Sequence, residues 1–220
     1  MRIVDPALQE LRNKLLRMGS LAEDILEKSL TAVWKRDRAA AREVQIDDLE
    51  IDRLDLAIDE AVLRLLATQA PVADDLRSVI AAKMIATDLE RVGDLARNIA
   101  KCALRLAEHP EVAIPTRLRT LGDEVQRVLH RALDSFADGD AERAAQVLEQ
   151  DDQVDADQDV VIRAAIQDIM SHPELTSQGV DFILIAKNLE RVADHATNVA
   201  EDVILATQAR NVKHAAKLRE

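Results

Sequence analysis

The chain has 220 residues, of which 32% are charged, and it carries a formal net charge of −12. Such an acidic surface repels nucleic-acid phosphates and anionic lipid headgroups, which argues against nucleic acid as the main partner. The aromatic residues, Trp34, Phe136 and Phe182, are too few to form a stacking platform for single-stranded bases. A single cysteine, Cys102, cannot form an internal disulfide and fits a reducing compartment.

The N-terminal residues MRIVDPALQE contain no apolar stretch of signal-peptide length. No window of the chain has the uninterrupted apolar length that is needed to cross a bilayer. We therefore expect a cytoplasmic protein that contacts a membrane only through partners.

Leucine and alanine are abundant while glycine and proline number five each, a composition typical of an all-helical protein. Apolar periodicity and the capping residues Asp5, Asp37 and Asp140 predict six helices. In chain order, these helices cover residues 6–35, 38–68, 73–107, 116–136, 141–170 and 174–209.

Prolines mark the predicted turns between these helices. The residue before a proline is pushed out of the helical region, so Pro71 and Pro173 each indicate a turn between two helices. Two further prolines bracket a connection at residues 110–115. The sequence therefore predicts an all-α fold of two tandem three-helix bundles, with units at residues 1–110 and 111–220.

One stretch occurs twice, as MIATDLERVGDLARNIA at residues 84–100 and as LIAKNLERVADHATNVA at residues 184–200. Polar positions recur as faithfully as apolar ones, although packing alone would not require it, so the repeat predicts a chemical role. The repeated polar residues are Glu90, Arg91, Asp94 and Asn98, and then Glu190, Arg191, Asp194 and Asn198. The apolar positions have four-three spacing, as in a coiled-coil seam: Ile85, Leu89, Val92, Ala96, Ile99, Ala103 and Leu106, and then Ile185, Leu189, Val192, Ala196, Val199 and Val203.

Carboxylates at i and i+4 occur on two helices of each unit. Glu90, Asp94 and Asn98 fall on the side of their helix away from the seam, which predicts a row on the helix surface. Folding each helix pair about its proline turn brings the carboxylate pairs to the same level: Asp48 and Asp52 with Glu90 and Asp94, and Asp151 and Asp155 with Glu190 and Asp194. Neighbouring carboxylates repel unless something positive lies between them, and hard metal ions favour such oxygen ligands. We therefore predict a metal site in each unit.

Other interpretations of the acidic rows remain open. One is a plain helical scaffold whose rows are solvated, or are neutralised by Arg91 and Arg191, so that no metal binds tightly. His195 is a further candidate ligand, although a lone histidine is more often a polar surface residue. A metal enzyme or metal store is disfavoured, because no histidine has an acidic residue three positions before it, as ferritin-like di-iron sites require. Since Cys102 has no nucleophile setting and no phosphate loop is present, we expect no catalysis.

These residues resemble the PhoU family. The two Leu-Glu-Arg-Val-x-Asp blocks, the segment APVADDLR at residues 70–77 and the preceding Asp48-x-x-x-Asp52 carry the resemblance, which covers nearly the whole chain. It implies two similar three-helix bundles whose E(D)-x-x-x-D motifs hold multinuclear clusters of iron, zinc, manganese or magnesium. The implied ligands are Asp48, Asp52, Glu90, Asp94, Asp151, Asp155, Glu190 and Asp194, with Asn98 and Asn198 as weaker candidates.

The resemblance also implies a function. Proteins of this family are negative regulators of phosphate signalling and uptake, and act as adaptors between a phosphate ABC transporter and a sensor histidine kinase. They are cytoplasmic or peripheral to the membrane, and often form homodimers. The chain departs from the family pattern where the second unit has PELTSQG, at residues 173–179, in place of PVADDLR. We therefore expect the two sites to differ in affinity or partner.

Overall fold

The structure is a computed structural model that describes residues 6–213, except for the side chain of Asp151. Within this range the chain forms α-helices and one short 3-10 helix, Pro173–Leu175, and no strand. The α-helices are α1 Pro6–Lys35, α2 Arg38–Gln69, α3 Asp74–Leu106, α4 Thr116–Asp138, α5 Ala141–Leu148, α6 Asp151–Ser171 and α7 Thr176–Gln208. The prediction of an all-α fold is confirmed.

Two of the predicted helix caps are present, and the third, Asp5, lies outside the described residues. The Asp37 carboxylate accepts hydrogen bonds from the backbone N–H groups of Ala39 and Ala40 at 2.9 and 3.1 Å. Asp140 caps α5 in the same way. It follows Gly139, whose φ of +65° ends α4 in the left-handed conformation that glycine adopts at no steric cost.

The prediction of one helix over residues 141–170 is wrong, because Glu149 and Gln150 separate α5 from α6. The Gln150 N–H donates to the Val147 carbonyl at 3.1 Å, and the Gln150 carbonyl accepts from the Val154 N–H at 3.3 Å. The sequence contains no glycine or proline here, so no breaker signalled the interruption. The new helix start places Asp152 in the first turn of α6, at the positive end of the helix dipole, where negative charge is favoured.

Four helices form the centre of the molecule. α1 packs on α3, α3 on α7, α7 on α4, and α4 on α1. α2 covers α1 and α3 on one side, while α5 and α6 cover α7 and α4 on the other. The two bundles therefore share one continuous aliphatic core. The unit boundary at residues 110 and 111 stays a prediction.

α3 and α7 run antiparallel, because Arg105 lies beside Asp181 while Asp88 lies beside His195. Together with the packing of α4 on α1, they form the contact between the two bundles. Every predicted seam residue of both helices is buried. The four-three spacing therefore identified the faces that these helices turn toward the core. None of the described helices is both long enough and apolar enough to span a membrane.

Candidate metal sites

The first carboxylate site lies between α2 and α3. The proline turn reverses the chain, so that Asp48 and Asp52 on α2 approach Glu90 and Asp94 on α3. The carboxylates of Glu90 and Asp94 are less exposed than their position on the surface of α3 predicted, because α2 covers them. Asp48 is 1% exposed, and the Glu90 and Asp94 side chains are 24% and 29% exposed.

Arginines lie among the carboxylates of this first site. Arg97 Nη1 lies 2.9 Å from Asp48 Oδ2, and the same guanidinium donates to Asp94. Arg91 lies 3.3 Å from both Glu90 and Asp94. The first site thus contains cationic side chains that belong to the protein.

The environment of the first site raises the pKa of two of its carboxyl groups. Burial raises the pKa of Asp48, the Arg97 guanidinium opposes that rise, and the neighbouring carboxylates of Asp52 and Asp94 add to it. Burial also raises the pKa of Glu90, while Arg91 lowers it. The arginines therefore compensate only part of the cost of ionising Asp48 and Glu90.

The second site lies between α6 and α7. One carboxylate oxygen from each of Asp155, Glu190 and Asp194 lies within 4.8 Å of the other two. Burial raises the pKa of Glu190, the charges of Asp194 and Asp155 raise it further, and the charges of Lys187 and Arg191 oppose the rise. The predicted fourth ligand, Asp151, has a side chain outside the described part of the structure.

Oxygen ligands of this kind suit hard cations such as magnesium and manganese, and also iron. In the second site, three carboxylates on two helices converge closely enough for one ion to contact an oxygen from each. These residues fit a metal ion, which would neutralise their mutual repulsion. In the first site the Arg97 guanidinium lies between Asp48 and Asp94, so those residues fit a metal ion less well.

The two weaker candidate ligands, Asn98 and Asn198, form hydrogen bonds with residues outside the predicted ligand set. Asn98 accepts a hydrogen bond from Lys101 at 3.3 Å, and Asn198 donates to Asp88 on the opposite bundle at 3.1 Å. His195 is not a plain surface residue, because its Nδ1 lies 2.7 Å from the same Asp88 carboxylate and its side chain is only partly exposed. Asn198 and His195 therefore join the two bundles.

Sequence reasoning missed several charged residues. Arg97 has a visible signal, since it follows Asp94 by three residues on the same helix face. The ion pair of Arg105 with the buried Asp181 has no such sequence signal, because the two residues lie 76 positions apart. Arg105 Nε lies 2.8 Å from Asp181 Oδ1. The buried Asp202 likewise carries no sequence signal for its contact with Lys213.

The family model described as PhoU domain matches residues 15–103 and again 118–203, which places one copy in each bundle. The chain belongs to the PhoU family. It is similar to the Phosphate-specific transport system accessory protein PhoU homolog of Pseudomonas putida, with 35% identity over 94% of this chain and 81% of that one. A homolog of the same name from Xylella fastidiosa is 36% identical over 91% of this chain and 84% of that one.

Solved PhoU structures share the fold. The crystal structure of PhoU from Pseudomonas aeruginosa aligns with a TM-score of 0.90 and 34% identity, over 93% of this chain and 98% of that one. The phosphate transport system regulatory protein PhoU from Streptococcus pneumoniae aligns with a TM-score of 0.86 and 28% identity, over 93% and 97% of the two chains. Because the alignments cover nearly all of this chain, family membership extends to both repeats and their connection.

Proposed function

We propose that this chain is a cytoplasmic accessory protein of a phosphate-specific transport system, which restrains phosphate signalling and uptake when phosphate is plentiful. The observation that carries the proposal is the match of the PhoU model to both bundles, together with relatives named for that system. The acidic helical surface supports a binding role in place of catalysis, so the protein acts through its partners.

The partners we propose are the ATPase of the phosphate ABC transporter and a sensor histidine kinase. The long helices present carboxylate-rich faces, and the net charge of −12 favours basic surfaces on these partners. A regulatory effect requires the chain to bind one state of the partner more tightly than the other. The chain thus links transport to signalling by binding both partners.

We propose that a divalent or trivalent ion, such as magnesium, manganese, iron or zinc, binds the carboxylates of the E(D)-x-x-x-D motifs. The second site supports this most directly, because Asp155, Glu190 and Asp194 converge on one point from α6 and α7. A bound ion would offset the mutual repulsion of these carboxylates and would hold the two helices together. The ion would then act on the same face that we propose for partner binding.

We propose that the chain forms a homodimer through the outer face of α2. Ile46, Leu49, Leu56 and Leu63 are 48–67% exposed and follow coiled-coil spacing, with Arg53 and Glu60 at the intervening seam positions. Two copies of α2 paired antiparallel about the midpoint between residues 56 and 57 would bury these side chains and place Arg53 of each copy opposite Glu60 of the other. This charge match favours a second copy over an unrelated partner.

A reporter experiment tests the regulatory role. Deleting the gene in its host should switch on a phosphate-responsive promoter at high phosphate, and the wild-type gene should restore repression. The variant Glu190→Ala/Asp194→Ala should restore less repression, and should capture less kinase and ATPase in pull-downs. Substitution of the exposed Glu111 and Asp123 is the matched control for lost charge. A deletion that leaves the promoter silent would overturn the proposal.

A charge-reversal experiment tests the dimer. Sedimentation should show a dimer for the wild type, a monomer for Arg53→Glu, and a restored dimer when Glu60→Arg is added. The exposed Ile166 on α6 supplies a control, since Ile166→Glu should leave the dimer intact. A monomeric wild type, or a double variant that stays monomeric, would contradict antiparallel pairing of α2.

A further inference from the structure

The chain folds back on itself after its last helix. α7 ends at Gln208, and Ala209 follows in the left-handed conformation with a φ of +54°. The Asn211 side chain then accepts a hydrogen bond from the Lys213 N–H at 3.0 Å, which makes an Asx turn. We call residues 209–213 the C-terminal strap, and these turns return it to the surface of α7.

Two side chains of the C-terminal strap contact the folded body. Val212 packs against the aliphatic core. Lys213 Nζ lies 2.9 Å from Oδ1 of Asp202 on α7, and the lysine side chain is only 27% exposed. The strap therefore binds as an aliphatic residue followed by a cation.

The carboxylate that holds the strap is buried, since Asp202 has none of its surface exposed. Burial raises the pKa of Asp202, Lys213 opposes that rise, and the charges of Asp88 and Glu201 add to it. Asp202 Oδ2 is buried without a hydrogen-bond donor among the described residues. The strap lysine thus contacts an anionic site that it compensates only in part.

The ion pair at the other end of the α3–α7 contact is built differently. There the buried Asp181 is paired with Arg105, which belongs to α3 and follows Cys102 by three positions. In the second repeat Leu205 follows Asp202 by three positions, so α7 has no equivalent cation. The cation for Asp202 comes from the strap instead, and a short segment at a chain end opens far more readily than a central helix.

We propose that the C-terminal strap is an internal ligand, and that the surface it covers, around Asp202 and the neighbouring Asp88, is a docking site for a basic segment of a partner protein. That segment has an aliphatic residue followed by lysine or arginine, as the strap has Val212 and Lys213. The strap competes with the segment and so sets how tightly the partner binds. This inference rests on the partner binding proposed above, adds the surface that is used, and requires no metal.

A peptide taken from the strap tests this docking site. The labelled peptide ARNVKHAA, residues 209–216, is titrated into the full-length protein and followed by fluorescence anisotropy. Lys213→Ala should bind it about tenfold more tightly than the wild type, because its own strap no longer competes. Adding Asp202→Asn to that variant should abolish binding, whereas adding Asp123→Asn, at an exposed position of α4, should not. Arg210→Ala is the matched control: it removes an exposed strap cation and should bind as weakly as the wild type.

Three results of the titration would overturn the proposal: equal binding by the wild type and Lys213→Ala, no binding by that variant, or binding that survives Asp202→Asn. A Lys213→Ala variant that sediments as a smaller assembly than the wild type would assign the site to the strap of a second copy, and would also overturn it. Circular dichroism monitors folding. If Lys213→Ala unfolds, Val212→Gly decides the matter, because it keeps the lysine and removes the packed side chain. Only this chain and its peptide are used, so a failure leaves the proposed role in phosphate transport standing.

Discussion

Replacing Asp202 with asparagine should stabilise this protein at neutral pH. Asp202 lies on α7 with none of its surface exposed, and Lys213 Nζ approaches its Oδ1 to 2.9 Å. Burial raises the pKa of Asp202 from 3.8 to about 6, although the charge of Lys213 opposes the rise. The lysine therefore compensates only part of the cost of holding a charged carboxylate inside the fold.

The size and sign of the effect follow from the two pKa values. The folded chain binds the proton more tightly than the unfolded chain, so the stabilisation from protonation is complete below pH 3.8 and is lost as the pH rises through about 6. At about 1.4 kcal/mol for each pH unit between the two values, ionised Asp202 costs the folded state roughly 3 kcal/mol. Asparagine resembles the protonated carboxyl in shape and carries no charge at any pH.

Urea unfolding of the wild type and Asp202→Asn across a pH series measures this cost. The variant should be more stable by about 3 kcal/mol near pH 8, and by about half of that near pH 5. Asp181→Asn is the matched control: it also changes a buried aspartate on α7, but one that is bonded to Arg105, so it should destabilise near pH 8. An Asp202→Asn variant that is less stable than the wild type near pH 8, or an advantage that does not change with pH, would refute the reasoning.

Further changes test other parts of the fold. Arg105→Ala should destabilise by about 3 kcal/mol in urea unfolding, because it leaves Asp181 buried without its cation; a loss below about 0.5 kcal/mol would contradict this. Gly139→Ala should cost about 1 kcal/mol in the same assay, because residue 139 has a φ of +65°, and no loss would mean that the turn adopts another conformation. Asp37→Ala should also cost about 1 kcal/mol by removing the cap of α2, and an unchanged unfolding midpoint would count against that cap. Burial raises the pKa of Cys102 to about 12, so a thiol reagent at pH 8 should label the protein only when it is unfolded, and rapid labelling of folded protein would disprove that burial.

Most of the fold was predictable from the sequence because its signals are local. Four-three spacing identified the buried faces of α3 and α7, and aspartates marked the starts of α2 and α5. The break at residues 149 and 150 could not be predicted in this way, since it contains no glycine or proline. α5 and α6 each pack against α7, and such tertiary contacts have no local signal in the sequence.

The candidate sites were predictable only in part. Spacing of four residues and the proline turns indicated which carboxylates share a level on paired helices. Spacing could not show that Asp48 would be buried, because that depends on the gap above Gly93 and on the reach of Arg97. Contacts such as that of Asp88 with His195 join residues 107 positions apart and follow from the packing of α3 on α7.

The antiparallel packing of α3 on α7 has a consequence for how such a protein can change over time. A symmetric pair of identical chains is encoded once, so any substitution appears in both partners together. In this molecule α3 and α7, which meet at the centre, are encoded by separate parts of one gene. An arginine can therefore be fixed at residue 97 while residue 197 remains threonine, and a mutation that would harm one half need not occur in the other. Fusion of the repeats thus allows one half to specialise without loss of the shared core.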